Sequence, residues 1–371
     1  MRAALRCDGG LGDTLITIGA TAKYLEGLRY DVTAFVKPIH ATALLHLEGV
    51  TQVRAVREWD KVFGTYDLVI DFDQLFVNDT FDGLISKDYY AAVEEKVSEC
   101  IELLEPLSPG RFKPQVFPDE SYVFIHPGAS NPNRQWTNEK WVKLAYGIRD
   151  KGYSVFWLGT SDEFGFSDER IFKLSDKTDT LWWQIDKLRQ AGLFVGTDSG
   201  FAHAAAILGV KSKVLFFSTS PHDVIARYPN ASGICGYRNN NPSRSLRVSD
   251  KQAMTARDWL TAGRVLNKLE LPLLSRHGKL PRQVVARRKK RIWLYGFAEN
   301  LQIVRDLEDR YDVRFLADTE QDIKKQDVVL ILQCPNTNTI GITHDGSSYV
   351  TRYRHIEEFC RVIREISGKK A

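Results

Sequence analysis

Val195-Gly196-Thr197-Asp198-Ser199-Gly200-Phe201-Ala202-His203-Ala204-Ala205-Ala206 changes character twice within a few turns of chain. Its apolar start closes a buried strand over 193–196, its polar middle reads as a tight turn, and its Ala-rich end reads as a helix over 200–208. At such a junction Asp198, Ser199 and Gly200 set backbone N–H groups and a hydroxyl at a helix N-terminus, a seat for an anion. The small residues let the helix pack closely against a neighbour. His203 falls one turn in; it either lines that seat or is a core histidine bonded to a backbone carbonyl.

The same strand–helix grammar runs outward in both directions. Downstream lies a strand over 213–217. Upstream, strands are expected over 122–126, 154–158 and 171–174, with helices over 138–151 and 180–190. Nearer the N-terminus, strands over 3–7, 31–36, 52–56 and 66–72 alternate with helices over 13–28, 39–47 and 89–104. Strands separated by helical crossovers imply parallel sheets. Pro106, Pro109, Gly110, Pro114 and Pro118 crowd the stretch between the two series, which reads as an interdomain linker. Two Rossmann-like domains facing a cleft are therefore expected, at 1–110 and 120–270. A third, smaller α/β piece is expected over 291–371, with strands over 292–295, 313–316 and 327–333 and helices over 299–310 and 355–366.

Three further motifs sit at strand ends, where open α/β sheets bind ligands. Asp8-Gly9-Gly10-Leu11-Gly12-Asp13-Thr14 follows the first strand. Its glycines allow close backbone approach, but it has neither the dinucleotide spacing nor the Gly-Lys-Ser/Thr of a P-loop. Asp13 falls at or near the helix N-cap. As a cap it is worth ~1 kcal/mol; facing a cleft, its carboxylate could take a proton from an attacking hydroxyl. His126-Pro127-Gly128-Ala129-Ser130 leads into Asn131-Pro132-Asn133-Arg134-Gln135-Trp136. There Ser130 can bond a phosphate oxygen, Arg134 can neutralise one, and Trp136 reads as a buried anchor. Glu163, in Gly159-Thr160-Ser161-Asp162-Glu163, could accept hydrogen bonds from ribose hydroxyls or be an exposed turn acid. Asp71-Phe72-Asp73 has metal-ligand spacing but lies in the first series, away from the other motifs, and is set aside as a metal site.

These motifs, in this order, resemble glycosyltransferase family 9, the heptosyltransferase-like family, over roughly residues 1–270. Gly12-Asp13 and the Asp198–His203 block, similar to the family's Asp-Thr/Ser-Gly-x-x-His signature, are the most specific parts. The resemblance implies a GT-B fold whose first domain shapes the acceptor site and whose second binds the nucleotide-sugar donor. It implies Asp13 as catalytic base and a turn from Asp198 through Ser199 and Gly200 to His203 that binds the donor's diphosphate, with Gly12 and Ser130 beside it. Glu163 would hold the nucleoside sugar, and Arg134 would touch phosphate where the family usually has Lys. The expected activity is an inverting, metal-independent transfer of a sugar from an ADP-heptose-like donor to a saccharide or lipid-linked acceptor of lipopolysaccharide type. No cofactor is expected besides that donor substrate. The N-terminal half is short for the family, and the last ninety residues have no family counterpart.

Composition sets the outer limits. The 371 residues are 43% hydrophobic and 26% charged, which excludes intrinsic disorder, collagen and coiled coil. No apolar run approaches the ~18 residues of a membrane span, and the N-terminus has no signal-peptide pattern. Five scattered cysteines without a C-x-x-C pair indicate neither zinc nor a disulfide framework. A cytoplasmic location is expected, at most peripheral to the inner membrane surface. The net charge is +4, yet eight basic and no acidic residues lie between Glu270 and Glu299. Arg287, Arg288, Lys289, Lys290 and Arg291 form its densest run, either a solvated linker or a polyanion contact. A DNA contact there would favour an alternative, a phage-type glycosyltransferase acting on hydroxylated bases. A second alternative is a non-catalytic nucleotide-sugar or nucleic-acid binding protein on the same scaffold.

Overall fold

The computed structural model describes residues 1–61, 64–73, 75, 89–113, 118–159, 171–175, 181–236, 250–274, 291–296, 312–315, 328–332, 339–344 and 347–352. The first series comprises β1 (Arg2–Cys7), α1 (Leu11–Gly27), β2 (Asp31–Val36), α2 (Pro38–Leu44), β3 (Val50–Ala55), β4 (Leu68–Asp71) and α3 (Tyr89–Ser98). Its strands form one parallel sheet in the order β3-β2-β1-β4, with Leu5 opposite Ala34 on one side and Ile70 on the other.

The second series runs β5 (Asp119–His126), α4 (Asn138–Asp150), β6 (Ser154–Gly159), β7 (Ile171–Ser175), α5 (Leu181–Leu188), β8 (Ala191–Thr197), α6 (Gly200–Ile207), β9 (Ser212–Phe216), α7 (Pro221–Ile225) and β10 (Ala231–Cys235). It closes with α8 (Asp250–Trp259) and α9 (Ala262–Lys268). Its parallel sheet has the order β10-β9-β8-β5-β6-β7. Counted from β5, that is the doubly wound dinucleotide-fold order, which reverses between β5 and β8. The ligand crevice of such a sheet opens at that reversal, beyond the strands' carboxyl ends. Both motifs that follow β5 and β8 therefore lie where chemistry is expected.

The central strands are buried on both faces, as parallel strands covered by helices must be. Val123, Phe124 and Ile125 of β5 and Phe194 and Val195 of β8 are all fully or almost fully buried. Helix α1 is also buried on every side from Thr14 to Ala22, because its own sheet covers one face and α6 another. Leu15 and Ile16 of α1 thus share one continuous apolar cluster with Ala202 and Ala205 of α6.

The Pro-rich stretch differs from a free linker before residue 114. Leu107 and Phe112 are buried, and Phe112 bridges Leu47 in antiparallel fashion. Glu48 N–H donates to the Arg111 carbonyl at 2.8 Å, and Lys113 N–H to the His46 carbonyl at 2.8 Å. Prolines here shape irregular chain that is docked on the first series. Helix α3 stops at Ser98, short of the periodicity that runs to 104: the chain turns so that Leu104 N–H meets the Tyr24 hydroxyl at 3.0 Å.

The third sheet contains β11 (Arg291–Gly296), β12 (Asp312–Phe315), β13 (Val328–Leu332), β14 (Thr339–His344) and β15 (Ser347–Arg352) in the order β12-β11-β13-β14-β15. β14 and β15 pair antiparallel, a hairpin absent from the sequence reading although Asp345-Gly346 between them is a strong turn signal. The helices expected over 299–310 and 355–366 lie outside the described residues.

Candidate active site

Two helix N-termini from different sheets meet at the site. Gly10, in extended conformation, caps α1, and Asp13 sits three residues later with its Oδ2 accepting the Gly10 N–H at 2.8 Å. Asp13 thus closes the cap from inside the helix rather than being the cap residue itself. Ser199 caps α6, also in extended conformation. The two helices touch through glycines. A Cβ on Gly200 would stand 2.6 Å from Leu11 Cβ, and one on Gly12 would stand 2.9 Å from His203 Cδ2. Any side chain at Gly200 would drive the helices apart. Their approach gathers the free N–H groups and positive dipole ends of two helices around one point.

Arg134 brings a full positive charge to the α6 side. A short 3₁₀ turn, Pro132–Arg134, holds its backbone, with the Asn131 side chain accepting the Asn133 N–H at 2.9 Å. Trp136 is the expected anchor: it is buried, and its Nε1–H donates to the Leu260 carbonyl at 3.0 Å. The guanidinium lies 3.5 Å from Asp198 Oδ2 and 3.4 Å from Ser130 Oγ. Asp198 is almost wholly buried and also accepts the Thr219 hydroxyl at 2.6 Å. Its carboxylate is thereby committed to orienting Arg134 and Thr219. Thr197 Oγ1 donates to the Gly128 carbonyl at 2.7 Å, tying together the loops after β8 and β5.

Three neutral histidines support these loops. His126 Nδ1 is 3.0 Å from Ser199 Oγ, and burial pushes the imidazole's pKa down to about 3. His203 Nδ1 is 3.1 Å from the Tyr228 hydroxyl, a side-chain partner where the core-histidine reading expected a backbone carbonyl. Its pKa is lowered to about 4, chiefly by burial. His40, 3.4 Å from Thr14 Oγ1, is likewise lowered to about 4 by burial and by Lys37. Asp13 moves the other way. Burial raises its pKa and the nearby Asp198 charge adds to this, while the Gly10 N–H, Arg134 and Lys37 hold it back. A half-buried carboxyl with raised proton affinity beside an anion seat can accept a proton from a ligand hydroxyl.

Gly12, Asp13, Ser130, Arg134, Asp198, Ser199, Gly200 and His203 are thus brought to two adjoining junctions. Glu163, Arg287, Arg288, Lys289 and Lys290 lie outside the described residues, and only the backbone of Arg291 is described, at the start of β11. Asp71 and Asp73 both pair with Arg6, at 3.0 and 3.2 Å. Among the described residues no group of three or more His, Cys, Asp or Glu gathers to hold a metal ion, and no helix is long and apolar enough to cross a membrane. Sequence reasoning missed Thr219 and Tyr228, which reach the site from loops with no motif. It also passed over His126, whose place at the end of β5 was a usable signal.

Residues 87–253 match the model of glycosyltransferase family 9 (heptosyltransferase). The matched stretch, a little under half of the chain, takes in α3 and the whole second sheet. Solved glycosyltransferase structures share the chain's fold. The E. coli ADP-heptose lipopolysaccharide heptosyltransferase II superposes with a TM-score of 0.53 at 17% identity, over 72% of this chain and 97% of that one. E. coli heptosyltransferase WaaC, solved with ADP, gives 0.50 at 17% identity, over 73% and 97%. The iron-containing dodecameric glycosyltransferase TibC of enterotoxigenic E. coli gives 0.51 at 14% identity, over 72% and 76%. No curated protein matches the chain in sequence. The chain has the GT-B architecture of these structures, with Rossmann-like sheets whose carboxyl ends carry the junctions described above, followed in sequence by a third sheet.

Proposed function

We propose that the chain is an inverting, metal-independent transferase that moves a heptose-like sugar from an ADP-sugar to a hydroxyl of a saccharide or lipopolysaccharide-type acceptor. One observation carries this reading: the raised-pKa Asp13 stands on one helix N-terminus while Arg134 flanks the other. Asp13 takes the proton of the acceptor hydroxyl as that oxygen attacks the anomeric carbon. The bond from this carbon to the diphosphate oxygen breaks on the opposite face, which inverts the centre. The charge that develops on the leaving diphosphate is met by Arg134 and by the N–H groups that open α6, donors already fixed in place. Asp198 acts indirectly, by holding Arg134. Adenosine and heptose are supported by the fold's relatives, among them WaaC with ADP and with ADP-2-deoxy-2-fluoro heptose.

The test is a thermal-shift panel of nucleoside diphosphates and their sugars, followed by transfer from the best donor to a heptose-deficient lipopolysaccharide core, with and without EDTA. ADP-sugars should give the largest shift, and transfer should survive chelation. Stabilisation by no nucleotide would sink the reading; loss of transfer in EDTA would remove its metal-independent part.

A further inference from the structure

We propose that Tyr228 and Tyr90 are positioning residues that lock His203 in one tautomer, so that its Nε2–H is the donor offered to the anion seat. Tyr90 Oη donates to Tyr228 Oη at 3.0 Å. The Tyr228 hydroxyl has a single proton of its own, and among the described residues the one other partner within reach to accept it is His203 Nδ1, 3.1 Å away. A neutral imidazole that accepts at Nδ1 carries its proton at Nε2. The ring edge that bears Nε2 faces the first turn of α1: a Cβ on Gly12 would lie 2.9 Å from His203 Cδ2 and 3.4 Å from Nε2. All three side chains are buried, with Tyr90 at 1%, Tyr228 at 3% and His203 at 3% exposure, so water does not compete for these bonds. Burial also raises the Tyr228 pKa, which keeps its hydroxyl a donor at every working pH.

The relay crosses between the two series. Tyr90 belongs to α3, and one turn later Glu94 receives both Arg227 nitrogens at 3.3 Å and the Leu107 N–H at 2.9 Å. Arg227 directly precedes Tyr228. Helix α3 therefore grips residues 227–228 by charge and by hydroxyl together, and the orientation of His203 depends on α3 being seated. The proposal rests on the donor-site reading above, and the experiment separates the two.

The full chain, labelled with ¹⁵N-histidine, is examined by long-range ¹H–¹⁵N correlation, with His203 assigned through His203→Asn. ADP affinity is measured by calorimetry on the same samples. The Nε2–H tautomer is expected in the wild type, and a mixture of tautomers in Tyr228→Phe. Losing one hydrogen bond to a positioned group should weaken ADP about tenfold in Tyr228→Phe. His203→Asn should lose a similar amount, and the double variant no more than either single one. A wild-type His203 carrying its proton on Nδ1 overturns the proposal even if Tyr228→Phe fails to fold. So does a folded Tyr228→Phe with unchanged tautomer and ADP affinity while His203→Asn and Arg134→Ala bind ADP weakly. Wild-type ADP affinity in both His203→Asn and Arg134→Ala would instead bring down the donor-site reading itself.

Discussion

The junctions after β1 and β8 are built alike, yet they do opposite things with an aspartate. Each runs from a strand through a polar turn into a helix that meets the other through glycine. At the first, Asp13 stands half-buried, held by one backbone N–H, with its proton affinity raised. At the second, Asp198 is buried and engaged by Thr219 and Arg134. The Asp198 carboxylate takes a charged and a hydroxyl partner on one oxygen, as a group that orients its neighbours does, whereas Asp13, with a raised pKa and a single backbone partner, is the one proposed as base. The strand–turn–helix pattern places an acid at the proposed site in both cases, and the two differ in their partners.

The largest effect should come from breaking the first junction. Asp13→Asn keeps the acceptor for the Gly10 N–H and removes only the titratable oxygen. Transfer should fall ~10²–10⁴-fold, while ADP affinity stays within a few-fold. Steady-state rates alongside calorimetry check this, and near-normal turnover would reduce Asp13 to a helix cap. In the wild type, kcat/KM should rise with pH through a value above the ordinary carboxylate range, since Asp13 must be ionised to act.

The histidines sharpen the comparison through stability. His40, His126 and His203 have folded pKa values of about 4, 3 and 4, against an unfolded value near ~6.5. Above ~6.5 both states are neutral, and the stability is intact. As pH falls below that value the unfolded chain takes up protons that the folded chain refuses, so stability drops by up to ~1.4 kcal/mol per pH unit for each histidine. Asp13, with its pKa raised on folding, opposes this weakly at acid pH. Denaturant titrations at pH 7, 6 and 5 should show a steepening loss, and a flat profile would mean that the histidines are solvated.

How much of this was legible can be read at particular residues. Most strands of the two parallel sheets and the two junctions were legible from apolar runs and polar Gly/Asp turns, because such sheets leave strong local signals, whereas the order of the strands within each sheet was not. The docked path of residues 106–113 was not legible, since proline density reports irregular backbone and says nothing of what covers it. Thr219 and Tyr228 were also illegible: each reaches the site through a long-range contact with no local pattern. Gly200 was read as part of a polar turn, and the reason it must be glycine, Leu11 at the start of α1, appears only in three dimensions.

That close contact yields the smallest predicted effect. Gly200→Ala should destabilise the fold by ~1–3 kcal/mol through overpacking against Leu11, whereas Gly263→Ala, with open space at its Cβ, should cost nothing or stabilise slightly. Chemical denaturation of both variants checks this, and equal stabilities would mean that α1 and α6 do not meet as described.

A structure of the chain with an ADP-sugar tests the shared site most directly. The diphosphate is predicted to lie against Arg134 and the α6 N-terminus, with the anomeric carbon turned toward Asp13. A diphosphate bound away from Arg134 and α6, or a sugar turned away from α1, would contradict it.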